Sequence, residues 1–307
     1  MADVFVARRL EGDALGKLEE AGHAVTVWPG NLPPHPTELR DAVADTEGLL
    51  TTLTERVDQA LLDAAPRLKV IANYAIGFDN IDMDATAARS IAVGVTPDVL
   101  TDATADLAFA LLLAAARRLP EAAAAVKDGR WRTFETQGWL GADVAGQTIA
   151  IVGGAGRIGS AVARRAEGFD MKVLAVGRDD DLHQALQQAD FVSLHAPLTP
   201  QTRHMIDATA LAATKPGAIL VNTGRGGLVD QAALANALHS GHLQAAALDV
   251  TDPEPLPPDD PLLAAPNLLV LPHIGSATHT ARAKMTALAV DNLLAGLDGR
   301  PLPHPAK

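Results

Sequence analysis

A chain of 307 residues with 48% hydrophobic content can bury two substantial cores, so its length predicts two domains. Lys and Arg total 25 against 37 acidic residues, and the formal charge of −12 repels phosphate backbones and anionic membrane surfaces, which argues against nucleic acid or membrane as a partner. There is no cysteine, so disulfides, thiolate metal sites and thiol nucleophiles are excluded.

The N-terminus, MADVFVARRLEG, enters a strand-like segment with no apolar signal region, and the longest apolar stretch, 107–116, is too short to span a bilayer. A cytoplasmic location is therefore expected. Short β-rich runs at 4–7, 25–28, 49–52, 70–74 and 92–95 alternate with helical stretches at 11–21, 39–44 and 57–65, the βαβ rhythm of a parallel sheet. A long Ala/Leu helix, TADLAFALLLAAARRL, then starts near Asp102 and leads to a segment bearing Trp131 and Trp139. Its uniform apolarity reads as buried core or subunit contact, and on that basis a homodimer is expected. A second alternating series runs from Gln147 to His273, and 277–297 reads as one amphipathic helix stopped by Gly299 and Pro301.

The second series opens with QTIAIVGGAGRIGSAVARR, in which Gly154, Gly156 and Gly159 spell G-x-G-x-x-G between a β-run and a helix. In that context Gly154 permits the tight turn, Gly156 lets the backbone approach a pyrophosphate, and Gly159 allows close helix packing, with Arg157 and Ile158 opening the helix whose positive end faces the phosphates. The next strand, MKVLAVGR, ends in Gly177 and Arg178, where a carboxylate would be expected to grip the ribose 2′-hydroxyl of NAD. With that acid missing and a guanidinium beside the gap, NADP(H) is favoured and NAD(H) is the alternative; Asp179, Asp180 and Asp181, which follow, give Arg178 a second reading as a surface ion partner. Between Gly177 and the strand ADFVSL there is room for one helix, 182–188, so the outer strand of an ordinary dinucleotide fold is expected to be missing from the sheet edge.

Three chemically distinct groups follow three successive apolar strands: Arg225 in VNTGRGG, Glu254 in LDVTDPEP, and His273 in LLVLPHIGSAT. The C-terminal ends of parallel strands open onto one crevice, so these groups are expected to meet there. Arginine can hold a carboxylate, a carboxylate favours the protonated form of a neighbouring imidazole, and an imidazole can pass a proton. His239 and His242 in HSGH read instead as a helix C-terminus closed by Gly241, with no acidic ligand beside them, so no metal is expected; His279 falls in the first turn of the last helix.

Together with ANYAIGFDNID in the first half, the glycine fingerprint and the segments DFVSLHAPLTPQTRHMI, GAILVNTGRGGLVD, AALDVTDPEPLP and LPHIGSATH resemble the D-isomer-specific 2-hydroxyacid dehydrogenases over nearly the whole chain, most of all their glyoxylate and hydroxypyruvate reductases. The resemblance implies two doubly wound parallel-sheet α/β domains, a Rossmann cofactor domain (96–275) inserted into a flavodoxin-like substrate domain (1–95 and 276–307), with the site between them. It implies that His273 donates a proton to the substrate C2 oxygen, that Glu254 orients it, and that Arg225 binds the substrate carboxylate or polarises the carbonyl. Backbone N–H groups around Ile76 and Gly77 would receive the substrate carboxylate, with Leu53 and Ser276 also at the substrate, while Asp249 would meet the nicotinamide amide. Thr104, His195, Pro197, Thr202, Thr223, Gly224 and Gly275 would line the cofactor, His195 on its adenine side. Leu53, standing where a phosphate-handling relative would carry a basic side chain, favours a short unphosphorylated 2-keto acid, although Arg56 is close in sequence. A 3-phosphoglycerate-type dehydrogenase and a non-catalytic dinucleotide sensor remain as alternatives.

Overall fold

The computed structural model describes residues 1–306 and divides into two compact units, Met1–Leu100 with the segment from Ala277, and Thr101–Ser276. The first unit carries β1 (Asp3–Val6), α1 (Gly16–Glu20), β2 (Ala24–Val27), α2 (Pro36–Val43), β3 (Gly48–Thr51), α3 (Gln59–Ala64), β4 (Val70–Asn73), α4 (Met83–Ala88) and β5 (Ala92–Gly94). The strands form a parallel sheet of order β2-β1-β3-β4-β5, the flavodoxin-like arrangement. Alternation along each strand divides its side chains between two layers. Phe5, Leu49, Ile71 and Val93 pack with Leu39, Leu61 and Leu62 of α2 and α3 on one face, while Val4, Val6, Leu50, Val70 and Ala72 face the other.

The second unit opens with α5 (Thr101–Ala116) and α6 (Leu119–Lys127), followed by β6 (Thr148–Val152), α7 (Arg157–Glu167), β7 (Lys172–Val176), α8 (Leu182–Gln188), β8 (Phe191–Leu194), α9 (Ala208–Ala212), β9 (Ala218–Asn222), α10 (Gln231–His239), β10 (Leu243–Leu248) and β11 (Leu268–Val270). Its six parallel strands run β11-β10-β9-β8-β6-β7. β7 pairs only with β6 and stands at the edge, and a single helix, α8, links it to β8, as the short segment after Gly177 predicts. One face of the sheet is covered by α5 and α7 through Ala105, Ala108, Leu112, Ala161 and Val162; the other carries Leu186, Ala210, Leu211, Leu234 and Leu238 of α8, α9 and α10. The last helix, α11 (His279–Leu297), returns to the first unit and lays Ala289, Val290 and Leu293 on the layer that holds Val4, Leu50 and Val70.

Two helices are shorter than their patterns predict. The stretch 11–21 is helical only from Gly16, because Gly12 turns the chain at φ 87 and lies over Ala283 of α11. The Ala/Leu helix stops at Ala116: Arg118 takes a left-handed conformation at φ 53, and Pro120 falls at the start of α6. The apolar character of α5 is consumed within its own unit, where Ala105, Ala108, Phe109, Leu111, Leu112, Ala115 and Ala116 are buried. A group of exposed apolar side chains follows it: Leu119, Val126, Trp131, Phe134 and Leu140. Among the described residues no helix is long and apolar enough to cross a membrane.

Candidate active site

Because every strand pair of the second sheet is parallel, the segments leaving β6 to β11 all emerge at one edge, and each predicted group of this unit from the glycine motif onward is in or beside such a segment. The glycine turn comes first. The left-handed residue is Gly153, at φ 83, and a Cβ there would sit 2.8 Å from the backbone of His195 and Ala196. The tight turn assigned to Gly154 therefore belongs to its neighbour. Gly154 serves close packing instead: its Cβ would lie 2.8 Å from that of Ala175 in β7. Gly156 is the N-cap of α7 in an extended conformation, and Gly159 lies so near the turn that a Cβ would come within 2.4 Å of the Gly153 carbonyl oxygen. The first turn of α7 contains no acid, so its N-terminal dipole is left uncompensated for an anion. A backbone this bare of side chains, at the N-terminus of an 11-residue helix, fits a pyrophosphate.

At the exit of β7, the Gly177 N–H donates to Asp180 Oδ2 at 2.7 Å, and Asp181 caps α8 by accepting from Gln184 N at 3.0 Å. Two of the three carboxylates of the acidic run are thus engaged by backbone, and Arg178 is exposed beside them. At the exit of β8, the ring of His195 bonds Ser193 Oγ through Nε2 (2.8 Å) and Thr223 Oγ1 through Nδ1 (3.3 Å). Enclosure of the ring holds its pKa down to about 4, so the imidazole is neutral and ties the end of β8 to that of β9. The Thr202 hydroxyl donates to Pro197 O at 2.7 Å and so shapes the loop between these two predicted residues.

The loop after β9 is organised by Asn222, a fully buried residue that motif reasoning passed over: Nδ2 donates to Arg225 O (2.8 Å) and Oδ1 accepts from Gly224 N (3.0 Å). Its signal in the sequence is a turn-forming Asn at the last position of an apolar strand. Arg225 Nη1 donates back to Gly224 O at 2.9 Å. Gly226 then presses against the segment after β10, where a Cβ would fall 2.0 Å from the Thr251 carbonyl carbon. This close approach brings the Arg225 loop against the chain that leads to Glu254.

His273 follows β11 in a left-handed conformation (φ 53), its N–H donating to Asp249 O at 2.9 Å. Its Nδ1 and Glu254 Oε1 share a hydrogen bond of 2.5 Å, and the two side chains keep 26% and 40% of their surface, enough to be reached from solution. Asp249 is buried, and its oxygens accept from Ile274 N (2.8 Å) and Gly275 N (2.7 Å); burial raises its pKa, opposed by those two bonds and by His273. Thr104 Oγ1 completes the cluster by donating to Gly275 O at 3.2 Å. Asp249 therefore fixes the backbone on both sides of His273, a positioning role additional to the one its motif suggests. Ser276, half-buried, ends this unit.

Leu53, Ile76 and Gly77 belong to the first unit, on the loops after β3 and β4. His239 Nδ1 bonds Ala235 O in its own helix, and His242 Nε2 bonds Thr214 Oγ1, so each ring is used structurally.

The profile of the D-isomer specific 2-hydroxyacid dehydrogenase NAD binding domain matches residues 109–275, a span that covers the glycine turn, Arg225, Glu254 and His273. The chain belongs to this family. The glyoxylate reductase of Korarchaeum cryptofilum (strain OPF8) is 45% identical over 306 residues, covering 95% of this chain and 92% of that protein. Among solved structures, the TT0316 protein from Thermus thermophilus superposes with a TM-score of 0.94 at 48% identity, covering 99% of this chain and 100% of that one. An NADPH-dependent glyoxylate/hydroxypyruvate reductase of Sinorhizobium meliloti, solved with NADP and malonate, gives a TM-score of 0.86 at 32% identity, covering 99% of this chain and 96% of that one. As a 2-hydroxyacid dehydrogenase the chain is an oxidoreductase that uses a nicotinamide dinucleotide.

Proposed function

We propose that the protein reduces small unphosphorylated 2-keto acids, glyoxylate and hydroxypyruvate, to glycolate and D-glycerate. The observation that carries this reading is the 2.5 Å pair of His273 Nδ1 and Glu254 Oε1 at the strand ends of a dinucleotide-binding unit; the full-length likeness to glyoxylate reductases supports the substrate class. The glycine turn from Gly153 to Gly159 would hold the dinucleotide, which when bound would supply a hydride for the keto carbon. His273 supplies the proton: with Nδ1 committed to Glu254, Nε2–H donates to the C2 oxygen as negative charge develops there, leaving a neutral imidazole that is reprotonated from solvent. Glu254 fixes the ring orientation through its bond to Nδ1. Arg225 offers a guanidinium to the substrate carboxylate or carbonyl, and backbone N–H groups at Ile76 and Gly77 receive the carboxylate. Leu53 presents no charge to a phosphate, which favours the short acids.

NADP(H) is the preferred cofactor in this reading, through Arg178 and the absence of a carboxylate at Gly177 itself, with NAD(H) accepted less well. The working form is a homodimer: Leu119, Val126, Trp131, Phe134 and Leu140 leave an apolar surface that a second copy would cover. Sedimentation that finds only monomer at micromolar concentration would refute that assembly.

Oxidation of NADPH is to be followed with glyoxylate, hydroxypyruvate and 3-phosphohydroxypyruvate, for wild type and His273→Ala. The expected result is turnover of the first two acids, lowered about 10²- to 10⁴-fold in the variant with cofactor affinity intact. Preference for the phosphorylated acid, or a variant with full turnover, would refute the proposal.

A further inference from the structure

Two loops of the first unit are joined by a polar network that the reaction scheme does not use. Glu55 is 3% exposed, yet it carries a carboxylate. Its Oε2 accepts three hydrogen bonds, from Thr52 N (2.7 Å), Thr52 Oγ1 (2.8 Å) and Thr51 Oγ1 (3.2 Å), which close the turn leaving β3. Its Oε1 is buried with no hydrogen-bond partner among the described residues. A buried carboxylate with one oxygen unsatisfied is a poor choice for stability, and three donors converging on the other oxygen mark a turn held in one shape. Leu53 lies inside that turn.

Asn80, from the loop after β4, spans the same turn. Its Nδ2 donates to Thr52 O (2.9 Å) and to Glu55 O (3.0 Å), one carbonyl at each end. Asn73, fully buried at the end of β4, donates from Nδ2 to Gly77 O (2.7 Å) and holds the near side of that second loop. Backbone bonds from Val57 N to Asn80 O (2.9 Å) and from Asp82 N to Val57 O (2.8 Å) extend the seam. The turn bearing Leu53 and the loop bearing Ile76 and Gly77 are therefore fixed to each other by the Asn80 side chain and by the backbone bonds through Val57.

We infer that Glu55 and Asn80 are positioning residues that set the separation between the Leu53 wall and the carboxylate-receiving backbone at Ile76 and Gly77, and that this separation selects two- and three-carbon 2-keto acids over longer ones. The inference rests on the substrate reading above. A rigid spacing admits a short chain between a carboxylate anchor and an apolar wall; loosening it costs the short acid its alignment and removes the barrier to an extra methylene.

The test uses the full-length protein with Asn80→Asp, which keeps the shape of the side chain but cannot donate, and Glu55→Gln beside Glu55→Leu. In Asn80→Asp, kcat/KM for glyoxylate should fall about 10- to 100-fold, as expected for an ångström-scale misplacement, while KM for NADPH changes by less than about twofold. The ratio of kcat/KM for glyoxylate to that for 2-ketobutyrate should fall as well. Glu55→Gln, which retains an acceptor oxygen, should stay nearer to wild type than Glu55→Leu. Amide hydrogen exchange supplies a readout independent of turnover: in Asn80→Asp, protection should drop together in 51–57 and 74–81. An unchanged substrate ratio, equal losses for glyoxylate and NADPH, or exchange confined to one loop would overturn the inference. Coupled exchange in a protein whose wild type reduces no 2-keto acid would leave the coupling standing and sink the substrate reading instead. If Asn80→Asp does not fold, the Glu55 pair is decisive on the same measurements.

Discussion

Substituting Ala at Gly159 and at Gly156 should separate the two roles within the glycine turn. A Cβ at Gly159 would lie 2.4 Å from the Gly153 carbonyl oxygen and 2.8 Å from Gly154 Cα, both rigid backbone, whereas ordinary contact begins near 3.4 Å. The N-terminus of α7 must retreat by about an ångström, an overpacking that costs about 1–3 kcal/mol. For a unit of this size that corresponds to a loss of roughly 2–12 °C in Tm. The retreat also moves the helix N–H groups off the phosphates, so affinity for the dinucleotide should drop about tenfold or more, which is about 1.4 kcal/mol. At Gly156 the methyl would meet only Gly153 O, at 3.1 Å, and a shift of a few tenths of an ångström relieves it. Gly156→Ala should keep Tm within about 2 °C of wild type, since a surface strain this small is worth under about 0.5 kcal/mol. It should nevertheless lose dinucleotide affinity comparably, because the methyl stands where the pyrophosphate must approach. Differential scanning calorimetry and a fluorescence titration with NADPH read the two quantities separately. A Gly159→Ala protein with unchanged Tm, or a Gly156→Ala protein that binds NADPH as wild type does, would refute this division of roles.

Two further outcomes follow from the strand ends. NADPH should be preferred over NADH by about tenfold or more in kcat/KM, and Arg178→Ala should weaken NADPH selectively, since a charge-assisted bond to a 2′-phosphate contributes about 1.5–3 kcal/mol; equal use of both cofactors by wild type, or equal loss of both in the variant, would reduce Arg178 to a surface residue. His195, held neutral with its pKa at about 4 against an ordinary 6.5, binds a proton less readily when folded than when unfolded, so its contribution is complete above about pH 6.5 and is lost as pH falls from there towards 4. That loss is on the order of 3 kcal/mol, and urea unfolding of His195→Gln at a series of pH values should show a flatter acid limb; identical limbs in the two proteins would remove His195 as its source.

Some of this chemistry is written locally. Short continuous β-rich runs marked the strands because a parallel sheet covered on both faces buries its central strands throughout. The G-x-G-x-x-G run marked the turn between β6 and α7, and the short span from Gly177 to β8 foretold a sheet that ends at β7. The pairing of Glu254 with His273 was legible because each follows an apolar strand, and a parallel sheet delivers such exits to one edge. What the sequence did not reveal depends on distances between segments far apart in the chain. That Gly153 rather than Gly154 takes the left-handed turn follows from the backbone of His195 and Ala196 beside it. That Asp249 pins the residues after His273, 25 and 26 positions on, follows from the pairing of β10 with β11. The apolar run of α5, which invited an interface reading, is buried because α7, β9 and β10 cover it, and the exposed apolar surface shifts to the segment after it. Periodicity and motif report how one residue relates to its near neighbours; which backbone closes against which, and which polar atom finds a partner, is decided only when the sheets are assembled.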